Sequence, residues 1–302
     1  MTSPATHHHV GRPLDAFAAA VMVMLCVSWG FNQVAAKFAI HDIPPMTQAA
    51  IRSVVAALIV AAWAKARGQQ LLARDGTLAA GLSAGLLFAF EFVFLYQGLL
   101  YTTATRAVLF LYLAPFVVVI GSRIFLPADR FHWSQWAGLT LSFSGLALAF
   151  GVPTPSTDPH QALGDLMVIA GAILWASTTL VIKASSLNRI SAEKVMLYQL
   201  VVSAPLLALC IPLFGEHMHA MPSWPALAAL GYQTVWVVSV TFVIWFALVA
   251  RYSANRLSAF TFLSPLCGVA AGHFLLGEPL NGAFMVSVAL VAGGLILVNR
   301  PR

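Results

Sequence analysis

The sequence predicts an all-α integral membrane protein: ten transmembrane helices in two inverted five-helix repeats, with both termini cytoplasmic. Three observations carry this. The chain is too apolar for water, it divides into windows of spanning length, and it resembles itself at an offset of 150 residues.

Of 302 residues, 60% are hydrophobic and 9% charged, and the mean hydropathy is +0.86. A soluble domain carries about 25% charged residues, so a soluble enzyme is excluded. The formal charge of +6 suggests a nucleic-acid partner at first sight. The basic residues stand singly between apolar segments and form no patch, which argues against nucleic acid. Cys26, Cys210 and Cys267 lie in apolar stretches without metal-ligand spacing and read as small hydrophobes.

Each spanning helix consumes about 20 apolar residues. The first is 16–36, longer than the roughly 7–15 residues of a signal-peptide core, so it is expected to be retained. The second is 46–64, interrupted only by Arg52. Residues 77–122 are too many for one crossing and must fold back near 98–103, giving a third helix with Glu91 and a fourth from Ala104. The fifth is 133–150, and a Pro-rich loop at 152–159 follows. The second set is 164–182, 195–214, 225–250, 254–276 and 280–298. The chain therefore divides into a tail at 1–15, a first half at 16–150 and a second at 151–302.

Basic residues test the count, because they concentrate on cytoplasmic loops. With a cytoplasmic N-terminus, thirteen of the 16 Lys and Arg fall at or near cytoplasmic ends; only Lys37, Arg52 and Arg106 lie toward the outside. Shifting the count by one helix scrambles this tally.

Between 104–126 and 254–276, seven positions are identical, among them Arg106/Arg256, Leu113/Leu263 and Pro115/Pro265. Trp29 and Lys37 have the spacing of Trp175 and Lys183. Five helices per half is an odd number, so the second half enters the membrane inverted. Inverted repeats are the signature of alternating-access carriers, whose site lies where the halves meet.

Ser28-Trp29-Gly30, Pro44-Pro45-Met46-Thr47, Arg52 and Asn255…Leu263-Ser264-Pro265…Gly277-Glu278-Pro279, followed by Gly293-Gly294, resemble the EamA domain of the drug/metabolite transporter superfamily. Pro127-Ala128-Asp129 stands in the first half where Gly-Glu-Pro stands in the second. The resemblance implies a ten-helix carrier of small metabolites in the inner (plasma) membrane, many relatives being amino-acid exporters. Drug efflux and exchange of nucleotide sugars or phosphorylated metabolites are the alternatives within transport.

Ionisable groups inside a membrane default to functional roles. Glu91 is the one acidic residue expected deep within a span, with Arg52 and Arg106 at similar depth. Two readings stay open: an ion pair locking helices, or a carboxylate that binds a substrate ammonium or exchanges a proton while an arginine holds a substrate carboxylate. Trp29, Asn32, Gln33 and Ala36 share one helical face, repeated by Trp175, Thr178, Thr179 and Ile182. This pattern suits a cavity for a zwitterion with an apolar side chain, and equally suits polar bonding between helices. Gln233, Trp236, Ser239 and Val240 form a weaker face. Tyr96 and Tyr101 lie near the outer interface, Tyr101 counted with the substrate-binding candidates. Pro115 and Pro265, mid-helix at matched positions, are candidate hinges.

No phosphate loop of the G-x-x-x-x-G-K type, H-E-x-x-H pair or G-x-S-x-G elbow occurs, so ATP drive and an intramembrane enzyme are not expected. A receptor would need an extramembrane signalling segment. His217 and His219 read as a solvated loop rather than a metal site, and no cofactor is expected. The expected partners are lipid and a small-molecule substrate, an amino acid or similar metabolite, with proton coupling an open option.

Overall fold

The computed structural model describes residues 13–126, 132–151, 159–218, 220–277 and 282–300, and the backbone but not the side chains of Lys37 and Leu276. The expected tail (except residues 13–15), Pro127-Ala128-Asp129, most of the Pro-rich loop, His219 and Glu278-Pro279 lie outside the described residues.

Every regular element among the described residues is helical. Apolar side chains all round the segments leave the backbone to satisfy its own polar groups, which a helix does within one segment. Helix α1 (Ala16–Ile40) starts where the Asp15 carboxylate accepts from the Ala18 N–H at 2.7 Å. Helix α2 (Pro45–Ala66) begins on Pro45, whose missing N–H costs nothing in a first turn. Helix α3 is Leu78–Tyr101, and α7 is Pro159–Ala184. Helix α6 (Trp133–Phe150) opens with a reciprocal His132–Gln135 cap, and α8 (Ala192–Leu213) with Ser191.

Three crossings are compound. The segment from Ala104 breaks into α4 (Ala104–Leu111) and α5 (Ala114–Phe125). The segment from Ala254 breaks into α11 (Ala254–Phe260) and α12 (Leu263–Leu276). Between them, α9 (Trp224–Gly231) and α10 (Phe242–Arg251) flank a ten-residue π-helix, Tyr232–Thr241. Helix α13 is Phe284–Asn299.

Among the described residues, eight segments are long and apolar enough to cross a membrane: α1, α2, α3, α4–α5, α7, α8, α9–α10 and α11–α12. Helix α13, 16 residues long, falls short in length. Helix α6 is diluted by Ser134, Gln135, Thr140, Ser142 and Ser144. These two pack on each other. A Cβ on Gly138 would stand 2.6 Å from the Gly294 carbonyl, and one on Gly145 would stand 2.8 Å from that of Ser287. Lipid tails are as apolar as leucine, so helices associate in lipid through such close backbone approach.

Packing partners exchange between the halves. Helix α1 lies against α12 and the α9–π segment, as α7 lies against α4–α5 and α3. Helix α2 pairs with α8, and α6 with α13. Two similar halves related by an approximate two-fold give this pattern.

One expectation gains detail and one needs correction. The helices holding Pro115 and Pro265 each break just before the proline, which lies in the first turn of the next half-helix. Leu113 N–H falls back on Phe110 O at 3.1 Å, and Phe262 N–H on Ala259 O at 3.3 Å. The eighth expected helix is not α-helical throughout, because Phe242 N–H reaches back five residues to Val237 O.

Candidate functional site

Where the two broken helices meet, aromatic rings fill the centre. Tyr112, at the first break, lies 6.1 Å from Phe262 at the second and edge-on to Trp175 at 6.0 Å. Phe116 and Phe143 extend the cluster. Beside it lies a cavity of about 10 Å³, lined by Pro115, Val118, Trp175, Thr179, Trp245 and Thr261 among others. That is room for about one water, so this conformation is closed around its centre. The Thr179 and Thr261 hydroxyls bond to carbonyls of their own helices at 3.3 and 2.6 Å.

A second aromatic group flanks α1. Trp29 Nε1 donates to Thr241 Oγ1 at 2.9 Å, and its ring meets Trp245 at 5.6 Å and Phe242 at 6.1 Å. Gln33, one turn on, packs against Gly268 of α12, where a Cβ would stand 2.5 Å from its Oε1. Asn32 Oδ1 is buried with no hydrogen-bond partner.

The charged groups are distributed otherwise than expected. Arg52 is 7% exposed. Its Nη1 donates to Tyr96 Oη at 3.3 Å and Gln233 Oε1 at 3.2 Å, and its guanidinium lies 5.2 Å from the Phe92 ring centre. Gln233 Nε2 donates in turn to Gln48 Oε1 at 3.2 Å. Arg52 Nε has no partner, and among the described residues no carboxylate pairs with this cation.

Glu91 is half-buried on α3, whose backbone here passes Gly171 of α7, one turn before Trp175. It has no hydrogen bond or ion pair among the described residues. Of the two open readings, the ion pair with Arg52 or Arg106 is not made among the described residues. Phe92 and Tyr96 carry the α2-facing side of α3, and Glu91 points away from it. Arg106 is taken by Asp165, its Nε donating to the two carboxylate oxygens at 3.1 and 3.2 Å, while Thr102 Oγ1 donates at 2.6 Å. Asp165 is a second acid within a helix: α7 begins at Pro159, which places Asp165 under two turns from its start. Its signal was available, since Asp165 falls in the predicted sixth window.

Of the other expected residues, Trp175 lines the cavity. Thr178 is buried beside it, its hydroxyl bonded to Leu174 O at 3.0 Å. Ser239 is buried and bonds Thr234 O at 2.8 Å. Trp236 is 38% exposed and donates to Ser28 Oγ at 3.0 Å, so it does not reach the cavity. The wider π turn rotates less per residue than an α turn, so residues three apart no longer share the face expected for Gln233 and Trp236. Tyr101 is exposed at the end of α3, stacked on His160 at 6.2 Å. Sequence reasoning passed over Gln48, whose signal was an amide within an apolar helix.

A family model for the EamA-like transporter family matches residues 16–151 and again 162–300. The chain belongs to that family. EamA transporters form part of the drug/metabolite transporter superfamily, and this one is a multi-pass membrane protein. It is 25% identical over 288 residues to the uncharacterized transporter YvbV of Bacillus subtilis, covering 93% of this chain and 91% of that one. It is 26% identical over 285 residues to a probable amino-acid metabolite efflux pump of Escherichia coli, covering 91% and 92%. A solved crystal structure shares the fold at a TM-score of 0.80 and 21% identity, covering 94% of this EamA chain and 96% of the other.

Proposed function

We propose that this EamA transporter exports small amphipathic zwitterions, amino acids foremost, by alternating access between its halves, 16–150 and 151–302. In this reading it crosses the inner membrane ten times, α6 and α13 included, with both ends cytoplasmic. One observation carries the substrate class: two opposite charges on adjacent helices, Arg52 on α2 and Glu91 on α3, stand without ionic partners. An uncompensated ion in a membrane protein is costly; a substrate carboxylate at Arg52 Nε would neutralise the first, and a proton, or a substrate ammonium once the halves have moved, would neutralise the second. Trp175, Thr178, Asn32 and Gln33 then line the path, and Pro115 and Pro265 act as hinges. The similarity to a probable amino-acid metabolite efflux pump supports this choice. Exchange of phosphorylated metabolites is disfavoured, because Asp165 neutralises Arg106 and leaves Arg52 alone.

The test is uptake into proteoliposomes across a panel of radiolabelled amino acids, with and without a pH gradient. Saturable uptake of at least one amino acid is expected. Glu91→Gln is expected to abolish it at unchanged protein yield. Full uptake by this variant with a lowered melting temperature makes Glu91 structural, and a panel with no uptake at all overturns the substrate class.

A further inference from the structure

The halves share a second likeness, at the entry to each broken helix. Residues 102–106 read Thr-Thr-Ala-Thr-Arg, and 252–256, again 150 residues on, read Tyr-Ser-Ala-Asn-Arg. The first residue closes the preceding helix, Thr102 N–H on Gly98 O and Tyr252 N–H on Leu248 O. The second caps the next helix, Thr103 Oγ1 accepting from Arg106 N–H at 3.3 Å and Ser253 Oγ from Arg256 N–H at 3.4 Å. The first residue's hydroxyl then donates to an aspartate at the first helix of the other repeat: Thr102 to Asp165 within α7 at 2.6 Å, Tyr252 to Asp15, the cap of α1, at 2.9 Å. Asp15 and Asp165 are themselves 150 residues apart. Arg106 completes the first set on Asp165, and Arg256 Nη1 reaches Asn299 O at 3.3 Å.

We propose that these are matched clamps at opposite ends of the bundle. Each fixes the short leading half of a broken helix, α4 or α11, to the helix that opens the other repeat. The transport motion is thereby confined to the trailing halves, α5 at one membrane face and α12 at the other. Beyond each break the proline has no N–H to bond the carbonyl four residues back, so the joint lacks one backbone tie. The two joints touch, the Tyr112 ring meeting that of Phe262 at 6.1 Å. Bending at one joint therefore acts on the other. This rests on the carrier reading, but its test needs no substrate.

Spin labels in a background with Cys26, Cys210 and Cys267 replaced by Ser report the distances. The pair Thr105→Cys/Leu166→Cys spans α4–α7, and Ile124→Cys/Ala184→Cys spans α5–α7. In lipid nanodiscs, alone and with an equimolar mixture of the twenty amino acids, α4–α7 is expected to show one distance and α5–α7 two. Asp165→Asn should add a second, longer α4–α7 distance, and the swap Arg106→Asp/Asp165→Arg should remove it. Thr102→Val gives the same readout if Asp165→Asn folds poorly. Tyr252→Phe should leave α4–α7 unchanged. Equal spread of both pairs in the unmodified chain, or a single α4–α7 distance in Asp165→Asn and Thr102→Val alike, overturns the clamp. Absence of amino-acid uptake bears on the substrate class and leaves these distances untouched.

Discussion

Arg52 is held by a phenol, an amide and an aromatic face, all neutral. A buried cation with neutral partners is weak as a source of stability and strong as a functional device. Arg52→Met is therefore expected to eliminate uptake while leaving the melting temperature in detergent unchanged or raised. A large loss of stability would instead make the arginine a structural knot between α2, α3 and the π segment. Outside the membrane, two carboxylates act differently. Asp42 in the α1–α2 loop accepts from the Ser223 N–H at 2.7 Å, and Ser223 and His41 hold its carboxyl down at about 2. Asp75 in the α2–α3 loop is likewise held at about 2, by Lys194 at 2.7 Å and by Thr77. An unperturbed aspartate titrates near 3.9, so these ties are fully present above that value and are lost only as pH falls through about 2. Asp75→Asn, whose partner Lys194 is charged throughout, should shift the melting temperature equally at pH 5 and pH 8. Any change of uptake across that range then belongs to another group. A shift that differs between the two pH values would contradict this assignment.

At the scale of elements, the faces that meet most closely carry glycine. Gly138→Ala sets a methyl 2.6 Å from the Gly294 carbonyl and 2.9 Å from Leu297 Cβ. Backbone cannot move aside as a flexible side chain does, so overpacking by about 1–3 kcal/mol is expected. Thermal unfolding in detergent should show it, whereas Gly231→Ala, with nothing within 4 Å of the added methyl, should not. Helix existence was readable from the apolar windows, because lipid demands a run of fixed length. The breaks were half-readable: Pro115 and Pro265 marked them, but the sequence does not say whether a proline bends a helix or starts a new one. The π-helix was not readable. Its apolar residues suit an α-helix equally, and the partners that Gln233, Trp236 and Thr241 find on other helices are set by packing between distant segments. For the same reason Arg52 and Glu91 stood out by their rarity in lipid, while their separation depended on which side of α3 each one meets.

For the molecule as a whole, the arrangement of basic residues makes a directional statement. Thirteen of 16 Lys and Arg lie toward one face in the ten-crossing arrangement. A fluorescent protein that matures only in the cytoplasm should fluoresce when fused to either end. A dark fusion at one end alone would require an odd number of crossings. The ties between loops lie at both ends of the bundle. Glu216 accepts from the Met46 and Thr47 N–H groups at 2.9 Å at one end, and Arg67 pairs with Glu193 at 3.1 Å at the other.

The small size of the central cavity has an electrical consequence. A volume of about 10 Å³ holds no chain of water, so it offers ions no continuous wire from one face to the other. Each elementary charge falling through 100 mV releases about 2.3 kcal/mol, and a leak through an abundant inner-membrane protein would dissipate the gradient its host lives on. Where this cavity lies, the bundle gives an ion no watered route across.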